Sequence, residues 1–235
     1  QGTANVVDAM GEVASSARLV HVSSLAAVGP SPTPEGIGPE AAPQPISWYG
    51  RSKLAGEHEA ATWNGEGGRV ILRPPAIYGP RDTDVFEFFR MASRRLVALP
   101  GGERWLTVAW VGDVVTSIVA AASGGVGGIC HLGDPKPMRL DDLVATLCDA
   151  GGLRARVVRV PPLLISGAGA AGSVLQRLGL RRIALTSDKS RELLAKHWTA
   201  RTADSLETLG NKSSRAFREG AETTWDWYRN QGWLK

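Results

Sequence analysis

The sequence is short of cysteine and histidine, and neither residue forms the pattern of a cross-linked or metal-binding protein. Its 235 residues include two cysteines, Cys130 and Cys148, which are too few for a disulfide framework. Both lie in apolar stretches, so we expect buried free thiols. The four histidines, at positions 21, 58, 131 and 197, lack the spacing of metal ligands, and the sequence therefore predicts no metal site.

The sequence also lacks a long apolar run and a concentrated block of positive charge. No stretch approaches the 18 or more apolar residues of a membrane span, and the opening QGTANVVDAMGEV has neither the basic nor the apolar region of a signal peptide. The formal net charge is +4, but lysine and arginine are scattered, with adjacent pairs only at Arg94-Arg95 and Arg181-Arg182. We therefore expect a cytoplasmic protein that binds a small-molecule substrate and neither a nucleic acid nor a membrane.

What the sequence does contain is an alternation of short apolar runs with helical patterns, without an internal repeat. The predicted strands cover 18–24, 69–73, 127–133 and 155–160, and the predicted helices cover 3–16, 47–63, 82–97, 113–123 and 139–152. The segment 30–45 is rich in proline and is expected to be a loop. This alternation indicates an α/β protein with a parallel sheet, and the chain after residue 160 is expected to be mostly helical.

Three polar residues occupy positions at which α/β proteins commonly carry catalytic or ligand-binding groups. Ser24 follows the first predicted strand, and the ends of parallel strands hold the groups that contact ligands. Tyr49 and Lys53 are four residues apart in the next predicted helix, which puts them on one helical face. An ordinary phenol keeps its proton near neutral pH, but a lysine cation about 4 Å away, at an effective dielectric near 20, stabilises a phenolate by about 4 kcal/mol. The three residues therefore predict a proton-transfer site.

The order of several motifs along the chain is similar to that of a known family. The segments LVHVSSLAAVGP, WYGRSKLAGE and VILRPPAIYGP follow one another, with Tyr49 25 residues after Ser24, and WLTVAWVGDVVTSIVAAA and GGICHLGD come next. Together they resemble the extended short-chain dehydrogenases/reductases, the NAD-dependent epimerase/dehydratase group. The resemblance implies a partial Rossmann-like parallel sheet in residues 1–160, the C-terminal part of a doubly wound sheet. It also implies a small, mostly helical substrate-side lobe in residues 161–235.

The same resemblance assigns roles to individual residues. Ser24 would hydrogen-bond the substrate oxygen, and Tyr49 would give or take its proton. Lys53 would stabilise the phenolate and hold the nicotinamide ribose hydroxyls, while Pro74 and Ile77 would lie against the nicotinamide. The implied activity is hydride transfer at a secondary alcohol or carbonyl group, by an oxidoreductase or epimerase that uses NAD or NADP.

A glycine pattern late in the chain imitates a nucleotide-binding turn. Gly167, Gly169 and Gly172 have the spacing G-x-G-x-x-G, but Pro161 and Pro162 stand where the preceding strand would need hydrogen-bond donors. We interpret these glycines as small residues that allow close packing within the helical lobe. In the family the glycine-rich turn comes before the region that residue 1 resembles, so the sequence predicts that the nucleotide-binding half is missing from this chain.

The predicted absence has consequences for association and for function. The strand 18–24 would expose an unpaired edge, so we expect a longer natural chain or a homo-oligomer to cover it. Two further functions stay open: a cofactor-independent serine hydrolase, with Ser24 as a nucleophile activated by Tyr49 and Lys53, and a non-catalytic remnant that binds a partner through the edge. Three neighbouring residues are expected to serve packing and local hydrogen bonding: Arg73, Tyr78 and Asp113.

Overall fold

The computed structural model describes residues 1–180, 185–210 and 215–234, and these residues form an α/β protein. The pair Arg181-Arg182 noted above lies outside the described residues. The helices are α1 (Gly2–Val13), α2 (Trp48–Ala61), α3 (Phe86–Ser93), α4 (Val111–Ala122), α5 (Leu140–Ala150), α6 (Pro162–Arg177), α7 (Ser187–Leu194), α8 (Ala203–Thr208) and α9 (Phe217–Asn230). The strands are β1 (Leu19–Val22), β2 (Arg69–Arg73), β3 (Ala76–Tyr78), β4 (Leu96–Pro100), β5 (Trp105–Leu106), β6 (Val108–Trp110), β7 (Gly128–His131), β8 (Met138–Arg139), β9 (Arg156–Val160) and β10 (His197–Trp198).

A three-stranded parallel sheet in the order β1-β2-β7 carries the first half of the chain. Its register pairs Val22 with Leu72, and Arg73 with His131. Parallel neighbours need a crossover between them, and α2 supplies the one from β1 to β2. Within the described residues no strand pairs with the other edge of β1, so the sequence-based expectation that a longer chain or a second copy covers this edge stays a prediction.

Further strand pairs extend the fold beyond this sheet, and all of them are parallel except β5–β8. β3 pairs with β6, and β4 pairs with β9, while β10 and β8 flank β5. The predicted helix over 82–97 ends early, because α3 stops at Ser93 and Leu96 begins β4. Between them Arg95 has a φ of 57°, a left-handed conformation that an α-helix cannot continue through. The predicted strand 155–160 is confirmed as β9, although its partner is β4 and not the main sheet.

The largest hydrophobic cluster lies where α3, α5 and α9 meet. Phe89 packs edge-to-face against both Trp225 and Tyr228, with ring centroids 5.1 and 5.2 Å apart, respectively. The indole of Trp225 donates a hydrogen bond to the Leu147 carbonyl oxygen at 2.8 Å. This cluster contains residues from both sides of position 160, and the division of the chain at 160/161 stays a prediction.

The glycine pattern at 167–172 lies inside a helix. Gly167, Gly169 and Gly172 all belong to α6, which begins at Pro162, and Gly169 and Gly172 are buried. A nucleotide-binding turn would place the first glycine between a strand and a helix, so these glycines do not form such a turn. The packing interpretation is confirmed for the buried Gly169 and Gly172 and is wrong for Gly167, which is exposed. Among the described helices none is both long enough and apolar enough to cross a membrane.

Candidate functional site

Ser24 lies just past the end of β1, as predicted. Its hydroxyl oxygen accepts a hydrogen bond from the Ala26 amide at 3.2 Å and so caps a short 3-10 helix, Leu25–Ala27. The preceding Ser23 is buried and donates its hydroxyl proton to Glu57 at 2.5 Å. The two adjacent serines therefore differ: Ser23 is committed to an internal contact, while the partly exposed Ser24 hydroxyl can still donate its proton to a bound oxygen.

The first turn of α2 lies against the 3-10 helix that follows Ser24. Ser47 caps α2 by accepting a hydrogen bond from the Gly50 amide at 3.0 Å, which confirms the predicted cap. A Cβ atom at Gly50 would overlap the Ala26 carbonyl oxygen, so only glycine allows this approach. Because Gly50 directly follows Tyr49, the close contact places the Tyr49 turn of α2 beside the Ser24 loop.

Tyr49 and Lys53 occupy one face of α2, as the spacing predicts. The Lys53 ammonium lies 5.9 Å from the centre of the Tyr49 ring and donates a hydrogen bond to the Val22 carbonyl oxygen at 3.2 Å. Its charge also reaches His21 in β1, whose pKa is lowered first by burial and then by the Lys53 cation. Lys53 thus connects the helix face that carries Tyr49 to the end of the strand that precedes Ser24.

Tyr49 differs from the other two tyrosines of the chain. The side chains of Tyr78 and Tyr228 are buried, and burial raises the pKa of both phenols, so they stay protonated over the ordinary pH range. Tyr49 is 51% exposed, on the side of α2 that opens to solvent. It is therefore the tyrosine whose hydroxyl a ligand can reach.

Of the two residues expected to contact a nicotinamide, the structure brings one to this place. The Pro74 carbonyl oxygen accepts a hydrogen bond from the Leu25 amide at 2.8 Å, which holds the turn after β2 against the Ser24 loop. Ile77 lies in β3 and packs on the hydrophobic cluster that contains Val70 and Leu72. Ser24 and Pro74 thus follow the carboxyl ends of β1 and β2, and α2 brings Tyr49 and Lys53 to the same end of β1, whereas Ile77 packs against the apolar cluster.

A buried ion pair that sequence analysis did not predict lies directly behind these residues. Arg73, at the end of β2, donates two hydrogen bonds to the Glu57 carboxylate, from Nε at 2.8 Å and from Nη2 at 2.6 Å. Arg73 is 1% exposed and Glu57 is 3% exposed. The same carboxylate accepts the Ser23 hydroxyl proton. The pair thus joins α2 to the ends of both β1 and β2, and it fixes the helix that presents Tyr49 and Lys53.

His131 extends this buried polar layer across the sheet. It stands opposite Arg73 in the register of β2 and β7, and its Nδ1 lies 3.1 Å from the Ile37 carbonyl oxygen. Burial, followed by the nearby Arg73 charge, lowers the pKa of His131 to about 4, so the imidazole is neutral at pH 7. Within the described part of the chain, His131 Nε2 and Arg73 Nη1 are buried without a hydrogen-bond partner.

The sequence contained two signals for these contacts. Glu57 is four residues beyond Lys53 and eight beyond Tyr49, so it shares their helical face. Arg73 ends an otherwise apolar strand, where a charge requires a partner. The expectation that Arg73, Tyr78 and Asp113 serve packing and hydrogen bonding is confirmed. Tyr78 packs against Trp110 and Phe217, and the Asp113 carboxylate accepts a hydrogen bond from the Arg215 amide at 2.8 Å.

The site offers donors for a dinucleotide, and the described residues offer no metal cluster. One N–H of the Lys53 ammonium goes to Val22, and the group has two more that can reach the hydroxyls of a ribose. Across residues 1–180, 185–210 and 215–234 no group of three His, Cys, Asp or Glu residues could hold a metal ion. Cys130 and Cys148 are buried free thiols, as expected, and burial raises the pKa of each.

Comparison with known proteins shows which family and which relatives the chain resembles. A model of the NAD dependent epimerase/dehydratase family matches residues 1–133. The chain is 35% identical over 228 residues to a ceramide reductase of Caulobacter vibrioides, an alignment that covers 94% of this chain and 65% of the reductase. The chain thus spans slightly less than two thirds of that relative.

Solved structures show the same architecture. The crystal structure of gox2253 matches with a TM-score of 0.76 and 21% identity, over 100% of this chain and 72% of that one. The UDP-glucuronic acid 4-epimerase of Bacillus cereus in complex with NAD matches with a TM-score of 0.70 and 17% identity, over 97% of this chain and 66% of the epimerase. At this level of identity the likeness concerns the fold, and it confirms an α/β, Rossmann-like architecture.

Proposed function

The chain belongs to the NAD-dependent epimerase/dehydratase family, and on that premise we propose that it is an NAD-dependent oxidoreductase acting at a secondary alcohol or carbonyl carbon. The observation that carries the proposal is the gathering of Ser24, Tyr49 and Lys53 at the end of β1. NAD is preferred to NADP because the family is described by its dependence on NAD.

Each of the three side chains has a distinct task in this proposal. The Ser24 hydroxyl donates a hydrogen bond to the substrate oxygen and orients the carbonyl group. Tyr49 gives its phenolic proton to that oxygen during reduction and takes it back during oxidation. Lys53 stabilises the phenolate that Tyr49 leaves behind and holds the ribose hydroxyls with its remaining donors. When bound, the dinucleotide supplies or accepts the hydride.

The residues behind the site position this machinery and do not take part in proton transfer. The Glu57–Arg73 pair holds α2 in register with β1 and β2, and Gly50 sets the distance between α2 and the Ser24 loop. Displacement by about 1 Å of a reacting group can lower a rate by about 100-fold. We therefore assign positioning roles to Glu57, Arg73 and Gly50.

We take the ketone form of ceramide, in which a carbonyl group replaces the secondary alcohol, as the first substrate to test. The relative that aligns over 94% of this chain is a ceramide reductase, whereas the epimerase of known structure shares 17% identity and supports the fold alone. Reduction of a carbonyl group in a sphingolipid-like molecule is therefore a better-supported proposal than epimerisation of a nucleotide sugar.

Cofactor binding and turnover test the proposal separately. Trp48 is 69% exposed and adjacent to Tyr49, so NADH should quench its fluorescence. Consumption of NADH with the ketone form of ceramide should fall about 10- to 100-fold in Ser24→Ala and much less in Ser23→Ala, the matched control inside the protein. Absence of quenching by both NADH and NADPH would count against the cofactor assignment. Hydrolysis of a nitrophenyl ester that depends on Ser24 would favour the serine hydrolase instead.

Association of the chain is also a proposal. Among the described residues no strand pairs with the free edge of β1, and such an edge favours pairing with another strand. We expect light scattering to find a homo-oligomer unless a longer natural chain covers the edge. A stable monomer of these 235 residues that does not aggregate would contradict that expectation.

A further inference from the structure

Helix α6 is attached to the protein along a narrow stripe of small residues. Ile165, Gly169 and Gly172 are its buried positions, spaced four and three residues apart on one face. A Cβ atom at Gly169 would lie 2.6 Å from the Ser190 hydroxyl oxygen in α7, so the two helices are in close contact. The Ser187 amide donates to the Ser173 hydroxyl at 2.8 Å and secures the same face. One side of α6 is therefore fully engaged.

The side of α6 that turns away from this stripe is apolar and exposed. Leu164, Ala171, Leu175 and Leu178 follow one another at spacings of seven, four and three residues, which places them on one face at 3.6 residues per turn. Six large apolar residues of the helix and the turn after it are exposed: Leu163 86%, Leu164 64%, Val174 54%, Leu175 40%, Leu178 74% and Leu180 52%. Arg177 is the one charged residue of the helix. A surface of this kind marks an interaction site.

The charge of the surrounding chain indicates what this surface binds. From residue 150 to residue 187 the sequence contains six arginines and no aspartate or glutamate. Four of these arginines are described and exposed: Arg154, Arg156, Arg159 and Arg177. Arg159 is paired with Asp141, and the structure pairs none of the other three with a carboxylate within the described residues. Arg181 and Arg182 follow in the sequence and add positive charge to this segment of the chain.

We propose that α6 lies in the interface of an anionic lipid bilayer, with its exposed leucines among the acyl chains and the arginines against the lipid headgroups. Helices that lie in the membrane interface combine an apolar face with basic residues and need no spanning length. The 16 residues of α6 are about 24 Å long, so the helix lies flat on the surface and does not cross it. A second copy of the chain is disfavoured as the occupant, because it would bring arginine-rich segments together without carboxylates to pair them.

The sequence predicted no membrane partner because it has no apolar run long enough to span a bilayer. A helix that lies on the membrane surface needs no such run, so the proposal agrees with that observation. The proposal does not rest on the redox activity, since no residue of α6 belongs to the Ser24–Tyr49–Lys53 site. Failure of one proposal therefore leaves the other standing.

Sedimentation with vesicles tests the proposal on the whole chain. Vesicles of phosphatidylglycerol and phosphatidylcholine in equal parts should bind the protein, whereas pure phosphatidylcholine vesicles should bind it weakly, and added salt should reduce the difference. Leu163→Glu/Leu164→Glu should lower the vesicle partition coefficient by about tenfold or more. Arg154→Gln/Arg156→Gln should lower it by roughly fivefold for each arginine on the anionic vesicles.

A matched control adds the same charge elsewhere on the surface. Val115 and Val119 are exposed on α4, so Val115→Glu/Val119→Glu makes an equal change of charge and should leave vesicle binding within about twofold of wild type. Circular dichroism of each variant verifies that the fold is intact. Three results would overturn the proposal: no binding to anionic vesicles at low salt, equal binding to both vesicle types, or equal loss in the α6 and α4 variants. Light scattering that shows α6-dependent self-association without vesicle binding would assign the surface to a second copy instead.

Discussion

Replacing Glu57 with methionine should destabilise the fold by about 3–5 kcal/mol, because it leaves a guanidinium buried without its counter-charge. Arg73 is 1% exposed and directs Nε and Nη2 at the two carboxylate oxygens, so the remaining cation has no route to solvent without a shift of β2 or α2. For a chain of this length, such a loss lowers Tm by about 6–20 °C. Arg73→Met should cost a similar amount, since it leaves the carboxylate with the Ser23 hydroxyl alone.

The double variant distinguishes a buried ion pair from two independent packing residues. Glu57→Met/Arg73→Met removes both charges and fills the space with flexible apolar side chains, so it should be more stable than either single variant. Chemical denaturation of the four proteins, followed by circular dichroism, gives the coupling free energy of the pair. If the losses of the two single variants simply add in the double variant, the assignment of a coupled buried pair is wrong.

Three further substitutions test separate parts of the site. Lys53→Met should lower turnover by about 3- to 100-fold, which is the effect of a cation 5.9 Å from the Tyr49 ring at dielectrics between about 80 and 20. Arg51→Met on the same helix should have little effect, and equal losses in the two variants would contradict the role of Lys53. Gly50→Ala should reduce both turnover and Tm, since the added methyl group overlaps the Ala26 carbonyl; unchanged turnover would show that α2 can shift freely. The unfolded state should bind more protons than the folded state between the ordinary histidine pKa near 6.5 and the lowered pKa of His131 at about 4. Stability should therefore fall by about 3 kcal/mol as pH falls through that window, and His131→Phe should flatten the slope of denaturation free energy against pH; an unaltered slope would refute the claim.

The elements of the site could be predicted because local rules determine them. Ser47 before a run of good helix formers predicts the start of α2, and the apolar run RVILR before two prolines predicts β2 and its end. The spacing of Tyr49 and Lys53 fixes their common face as soon as α2 is known to be a helix. The motifs occur along the chain in the same order as in the family. The parallel pairing of β1, β2 and β7 could therefore be expected from that resemblance.

The contacts behind the site depend on tertiary packing, which no local pattern encodes. Glu57 and Arg73 are 16 residues apart and come together because α2 crosses over the sheet and returns antiparallel to β2. The pairs β3–β6 and β4–β9 join segments that are 30 to 60 residues apart in the sequence. None of these four strands alone has a strong alternation of apolar and polar residues. The early end of α3 depends on one left-handed residue, Arg95, in a stretch whose composition suits a helix.

The exposed face of α6 shows where a sequence pattern and its tertiary context differ. The run LLISGAGAAGSVL contains a glycine spacing typical of nucleotide-binding turns, yet Gly169 packs against α7 and the leucines face outward. Only the exposed fractions reveal that the apolar residues are not core. The run of arginines without carboxylates was present in the sequence, but its significance depends on that exposure.

The central claim is that the phenol of Tyr49 carries the proton in hydride transfer, and a single-turnover measurement tests it directly. Tyr49→Phe should reduce the rate of NADH oxidation by the ketone form of ceramide by about 100-fold or more while NADH binding stays within about threefold of wild type, because only the hydroxyl is lost. Trp48→Phe, one residue earlier and also exposed, should retain most of the rate. A Tyr49→Phe variant that turns over as fast as the Trp48→Phe control would contradict the account.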